Sequence, residues 1–241
     1  MDGTTVVITG ASRGIGAAVA RAFADEGATV VCGSRSADEI EAVAEDIRSS
    51  GGDAIALRTD VRDEFDLERL METAARSGGD GIDIVVACAG IYHGSAGETP
   101  LLDESYAAFD DAVQTNARGV FGTVKEALPH LNDGARILVP TGAVARKSIA
   151  GYGVYAVSKA AVEGIIRGFA ADGLESGNAT GGRVVIGGVD PGQVATELTG
   201  GEGRDPTEVT GLFLWAATDA DADDLDGNVV GLGEWKTATS A

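Results

Sequence analysis

Short, unbroken apolar runs alternate along the chain with longer stretches in which apolar and charged residues interleave. The apolar runs are Val6–Thr9, Thr29–Cys32, Ala54–Arg58, Ile82–Cys88, Arg136–Val139, Arg183–Val189 and Val229–Leu232. Runs of this length, rich in valine and isoleucine, predict strands. Between them, Gly14–Glu26, Asp38–Ser50, Asp63–Arg76, Ser105–Leu131, Tyr152–Ser176 and Pro206–Thr218 predict helices. The second opens on acids, which the positive end of a helix favours. The last opens Asp205-Pro206-Thr207-Glu208, with a capping aspartate, proline at the first helical position and glutamate at the third. Continuously apolar strands alternating with helices predict an α/β architecture, a parallel sheet covered by helices on both faces. Crossovers should be right-handed. The glycine-rich spots Gly78–Gly81 and Gly177–Gly182 read as loops too short to separate domains, so residues 1–241 read as a single domain.

Composition narrows the partners. The chain of 241 residues is 44% hydrophobic, enough for a sizeable core. No apolar run approaches the ~20 residues of a membrane-spanning helix. Met1-Asp2-Gly3 leads straight into the first strand without a basic leader, so a cytoplasmic protein is expected. The formal charge is −20, which argues against nucleic acid and anionic membranes, both polyanions. The basic residues include few lysines: Lys125, Lys147, Lys159 and Lys236. A carboxylate-coated, lysine-poor surface resembles proteins of salt-loving organisms, in which molar salt screens the self-repulsion. Cys32 and Cys88 lie in apolar strand-like runs without metal-ligand spacing and read as buried free thiols; no metal site is expected.

Candidate chemistry sits at two places. Thr9-Gly10-Ala11-Ser12-Arg13-Gly14-Ile15-Gly16 links the first strand to the first helix. Glycines there let the backbone turn tightly, and the helix N-terminus offers N–H groups to a pyrophosphate. The spacing is GxxxGxG rather than the general GxGxxG. After the second strand an NAD site usually places an acid for the ribose 2′-hydroxyl. Here the residues are Gly33-Ser34-Arg35. Arg35 and Arg13 suit a 2′-phosphate instead, which favours NADP(H) over NAD(H). The second place is Tyr155-Ala156-Val157-Ser158-Lys159. Residues four apart share a helix face, so an ammonium stands by a phenol. That arrangement should lower the tyrosine pKa and fit it for proton exchange with an alcohol oxygen.

The glycine loop together with Tyr155-x-x-x-Lys159 resembles the short-chain dehydrogenase/reductase family over nearly the whole chain. The resemblance implies a Rossmann-type, doubly wound, parallel seven-stranded sheet in one domain. It implies cofactor contacts from Gly10, Ser12, Arg13, Gly14, Ile15, Gly16, Ser34 and Arg35. Asp60-Val61 looks like the adenine contact, and Cys88-Ala89-Gly90 like the family's Asn-Ala-Gly element with Cys for Asn. Pro191-Gly192, with Val194 and Thr196, matches the segment at the nicotinamide end. Asn116 matches the helix asparagine of the catalytic tetrad, which kinks its helix and holds a water that feeds protons to Lys159. Tyr155 would supply the proton, and Lys159 would bind the nicotinamide ribose and lower the Tyr155 pKa.

Two departures stand out. Gly142 falls where the family has its catalytic serine, so Thr141, or less favourably Ser148, would have to substitute. On a strand, the one-residue offset aims Thr141 at the opposite face unless the backbone bends. The segment Leu198–Arg204, where the family carries a substrate lid, is short and glycine-rich. An open pocket, or one completed by a neighbour through the tail that holds Trp235, would follow; Trp235 as plain packing is the simpler reading. Tyr92 and His93 stand as candidates for the pocket mouth. The expected activity is an NADPH-dependent carbonyl reductase acting on a ketone or 3-oxoacyl substrate. The alternative is a weak or inactive dinucleotide-binding sensor or scaffold. The resemblance also implies a homotetramer or dimer assembled through Ser105–Leu131 and Tyr152–Ser176.

Overall fold

The computed structural model describes residues 1–79, 81–177 and 182–240. Asp80 in the first predicted glycine-rich loop, and residues 178–181 in the second, lie outside the described residues. The elements run β1 (Thr5–Thr9), α1 (Gly14–Asp25), β2 (Thr29–Ser34), α2 (Ala37–Ser49), β3 (Asp53–Arg58), α3 (Glu64–Ser77) and β4 (Ile82–Ala87). They continue with α4 (Tyr106–Ala112), α5 (Gly119–Ala127), β5 (Leu131–Pro140), α6 (Gly153–Asp172), β6 (Val185–Asp190), α7 (Thr210–Thr218), α8 (Ala222–Leu225), β7 (Val229–Gly231) and α9 (Leu232–Thr239).

The strands form one parallel sheet in the order β3-β2-β1-β4-β5-β6-β7. Strand order therefore reverses between β1 and β4, the switch point where an open α/β sheet leaves a crevice at its carboxyl edge. Successive residues of β1 feed opposite faces. Val6 and Ile8 pack with Phe23 of α1, Ile40 of α2 and Phe213 of α7. Val7 packs with Leu70 of α3, Val124 of α5 and Ile166 of α6. Phe23, Phe213, Leu70 and Ile166 are essentially sealed from water. Each such side chain contributes roughly 1.5–3 kcal/mol on burial, which explains why both faces hold their helices.

Local chemistry sets several boundaries as the sequence predicts. Asp205 accepts from the Thr207 N–H at 2.9 Å ahead of Pro206, and Asp38 and Glu39 occupy the first turn of α2. Three differences matter. The long helix expected over 105–131 is α4, a π-helical segment Val113–Arg118 and then α5, ending in a short turn around Pro129. β5 begins at Leu131, earlier than its apolar stretch, and carries an irregularity where it pairs with β4. α6 stops at Asp172 because Gly173 takes φ +72°.

Candidate active site

The cleft lies above the switch point and has a volume of about 330 Å³. Gly10 N–H donates to the Gly33 carbonyl at 2.8 Å, folding the loop back over the sheet. Gly10 has φ +70°, and a Cβ on it would lie 2.7 Å from Ala89 Cα. A Cβ on Gly16 would lie 2.3 Å from the Gly10 carbonyl oxygen. The sequence thus folds here because only hydrogen fits where loop, helix and β4 converge. Arg13 begins α1 in an extended conformation without a side-chain cap. The first N–H groups of α1 are therefore left for a ligand, and Gly14, Ile15 and Gly16 form part of the cleft wall.

Ser12, Arg13, Ser34, Arg35, Val61, Cys88, Ala89, Gly90 and Thr196 also line this cleft. Arg13 pairs across it with Glu197 at 3.2 Å and more loosely with Glu39 at 3.8 Å. Asp60 stands back from the wall. Arg62 grips its carboxylate at 2.8 Å and 3.0 Å and holds its pKa below the usual carboxylate value. Pro191, Gly192 and Val194 also stand outside the cleft wall. Val194 is buried, and Gly192 borders a second cavity with Arg146, Glu163 and Asp190. Leu198, the start of the short lid segment, also lines the cleft, and Thr59, Ser36, Ile91, Thr115 and Glu197 do so without having been singled out from the sequence. Thr59 directly follows β3 and Ser36 lies two residues past β2, so their position after a parallel strand was the available signal.

Tyr155 and Lys159 lie one turn apart on α6, whose start is held by Glu104 accepting from the Val154 N–H at 3.1 Å. Both are half-buried. The Lys159 Nζ sits 5.7 Å from the Tyr155 ring centroid and donates to the Pro140 carbonyl at 2.9 Å. The Tyr92 ring packs 4.9 Å from that of Tyr155, which ties the pair to the cleft wall. The expected lowering of the Tyr155 pKa is corrected here. Burial pushes the phenol above its ordinary value, reinforced by Cys88 and neighbouring tyrosines. Burial also lowers Lys159, with Cys88 and Glu163 opposing. Desolvation dominates at the phenol, while the ammonium donates to the Pro140 carbonyl. Cys88 is a free thiol that lines the cleft with Ala89 and Gly90, as the Cys88-Ala89-Gly90 match implies, and is not sealed in the core; burial pushes it up to about 11. Cys32 is fully buried.

Asn116 occupies the π-helical segment, an irregularity common at functional sites. It is buried and accepts from the Ile91 N–H at 2.8 Å. Its amide donates to the Ile91 carbonyl and to Ser158 Oγ, each at 2.9 Å. It therefore splices the chain after β4 to α6. Thr141 is corrected as the replacement hydroxyl: it is buried and donates to Glu163 Oε1 at 2.8 Å, away from the cleft. Just past the end of β5 its N–H still donates to the Val189 carbonyl, and its side chain is committed to α6 rather than to the cleft. Gly142 follows in extended backbone, and a Cβ there meets nothing within 4 Å. Ser148 is exposed. Tyr92 donates to carbonyls in the segments around it, His93 pairs with Asp111 at 2.9 Å, and Trp235 packs on Gly211 of α7.

The family model described as short chain dehydrogenase matches residues 4–207. Versicolorin reductase stcU of Emericella nidulans is 34% identical over 82% of this chain and 72% of that protein. Glycine betaine reductase ATRR of the same organism is 32% identical over 83% of this chain, which spans only 15% of that longer protein. The short chain dehydrogenase of Burkholderia cenocepacia J2315, solved in complex with NADP, superimposes with a TM-score of 0.81 at 27% identity over 95% of this chain and 96% of the other. The chain belongs to the short-chain dehydrogenase family, and it shares the family's oxidoreductase fold.

Proposed function

We propose that the chain is an NADP(H)-dependent oxidoreductase that interconverts a carbonyl, of ketone or 3-oxoacyl type, and a secondary alcohol. One observation carries the reading: Tyr155 and Lys159 share a face of α6 beside a cleft formed by a glycine loop and an uncapped helix N-terminus. The groups present fit the cofactor. The Gly10–Gly16 loop and the first N–H groups of α1 would hold the pyrophosphate, and Arg13 and Arg35 the 2′-phosphate. When bound, the nicotinamide supplies or accepts the hydride. The rest falls to the protein. Tyr155, kept protonated by burial, is suited to donate its proton to a carbonyl oxygen in the reducing direction. Lys159, anchored on the Pro140 carbonyl, holds a positive charge near the phenol.

The gripped Asp60 leaves Val61 as the adenine-side contact of that pair. Similarity to versicolorin reductase stcU and to a short chain dehydrogenase solved with NADP supports the assignment. The test is absorbance at the nicotinamide wavelength with ketones and 3-oxoacyl thioesters in molar KCl. Turnover with NADPH, and much less with NADH, is the expected result. A second reading, a weak or inactive dinucleotide-binding sensor, is favoured by Gly142 and by the diversion of Thr141 to Glu163. Tight NADPH binding without turnover would select it.

Assembly and environment follow the same reading. Tyr106, Phe109 and Phe121 are exposed on α4 and α5, and Phe121 stacks on Phe169 of α6. Such a face suits a homo-oligomer, a tetramer or dimer, which gel filtration with light scattering tests. Among the described residues no helix is long and apolar enough to cross a membrane. The net charge of −20 is best tolerated in concentrated salt. The melting temperature should therefore rise between 0.1 M and 3 M KCl.

A further inference from the structure

The geometry points to Glu163 as a positioning residue for the Tyr155–Lys159 pair: it fastens the ends of β5 and β6 to α6 and sets the electrostatic field at the ammonium and the phenol. The inference rests on the proposed role of that pair. Glu163 stands one helical turn beyond Lys159, so Tyr155, Lys159 and Glu163 succeed one another along one face of α6. Its side chain is only 4% exposed, a costly place for a carboxylate unless it is partnered.

Its partners come from distant segments. Thr141 donates to it at 2.8 Å from the end of β5. The preceding residue, Pro140, presents the carbonyl that receives the Lys159 ammonium. Arg146, from the loop between β5 and α6, bridges Glu163 to Asp190 at the end of β6. Asp190 directly precedes Pro191-Gly192. One carboxylate therefore ties together the strand end that orients Lys159, the loop that carries Gly142 and the segment after β6.

The charged and titratable groups facing the pair can be named. Cys88 at the end of β4 and Glu163 face Lys159; Cys88, Tyr92, Tyr152 and Asp190 face Tyr155. Arg146 offsets Glu163 and Asp190. Removing the negative charge should ease loss of the proton from Lys159 or Tyr155, and removing the positive charge should impede it. The sign is the same whichever of the two titrates.

The test compares Glu163→Gln, which keeps an acceptor for Thr141, with Arg146→Gln. The basic limb of the kcat profile should move to lower pH in Glu163→Gln, by about one pH unit, and to higher pH in Arg146→Gln. An ultraviolet difference titration of the phenol, with Tyr155→Phe as the blank, should follow the same two directions without needing turnover. Limbs that stay put, or move together, overturn the inference. If Glu163→Gln does not fold, Arg146→Gln decides: an upward shift supports the inference, and none or a downward one overturns it. Absence of wild-type turnover would count against the proposed function alone, because the ultraviolet titration still tests the field.

Discussion

The two halves of the sheet build their parts of the site by different means. On the β1–β2 side the cleft is made of backbone: glycines that admit close approach, a turn folded onto Gly33, and the open N-terminus of α1. On the β5–β6 side it is made of side chains, and each depends on a partner from far along the sequence. Lys159 needs Pro140, Asn116 needs Ile91 and Ser158, and Thr141 needs Glu163. A backbone site survives many substitutions as long as nothing is added to its glycines. A side-chain site can be broken, or improved, by single atoms. Its one gap is also on this side, where Gly142 offers no hydroxyl and Thr141 points elsewhere.

The sharpest way to break this comparison is Tyr155→Phe. Loss of the proton donor should lower kcat by ~10²–10⁴-fold, while NADPH affinity, measured by fluorescence titration, stays within a few-fold. A parallel loss of binding would mean that the two halves are not separable. Gly142→Ser comes next and works in the opposite direction. Its backbone is extended and a Cβ meets nothing within 4 Å. An added hydroxyl should therefore raise kcat/KM, with the ~10²–10³ typical of one such donor as the upper range. A variant as slow as the parent would show that the gap is not what limits the enzyme.

Gly16→Ala attacks the backbone half. Its Cβ would fall 2.3 Å from the Gly10 carbonyl oxygen, which cannot swing aside. The strain should cost about 1–3 kcal/mol in urea unfolding and weaken NADPH binding. The smallest effect concerns the thiols. Burial raises Cys32 from 9.0 to about 12 and Cys88 from 9.0 to about 11. Both therefore favour the folded state below pH 9, and that contribution is lost as pH climbs from 9 towards those higher values. Cys32→Ala should show a shallower alkaline decline in unfolding free energy than the parent, apart from its cavity cost. Equal slopes would indicate that the buried thiol does not sense the fold.

Much of the architecture was legible. The strands announce themselves as apolar runs, although Leu131-Asn132-Asp133-Gly134 does not, and β5 begins there through pairing alone. The break of the long helix at Val113–Arg118 has no periodic signature, because a π-helical turn changes hydrogen bonding and leaves residue type untouched. The short helices α8 and α9 offer too few turns for a pattern. In the site, the glycine loop and the Tyr155–Lys159 spacing could be read directly. The grip of Arg62 on Asp60 and the hub at Glu163 could not, since nothing local says which acid a given arginine will meet.

What the residues determine unaided is whatever depends on neighbours in sequence: the strand–loop–helix order, a turn that only glycine can make, and a phenol and an ammonium one helical turn apart. The tertiary structure alone decided that Thr141 faces Glu163 and that the Tyr155 phenol is pushed up rather than down. Hydrogen-bond partners and desolvation are set by everything that packs around a group. At this site those atoms come from Cys88, Tyr92 and Pro140, none of them within one helical turn of the residues they control.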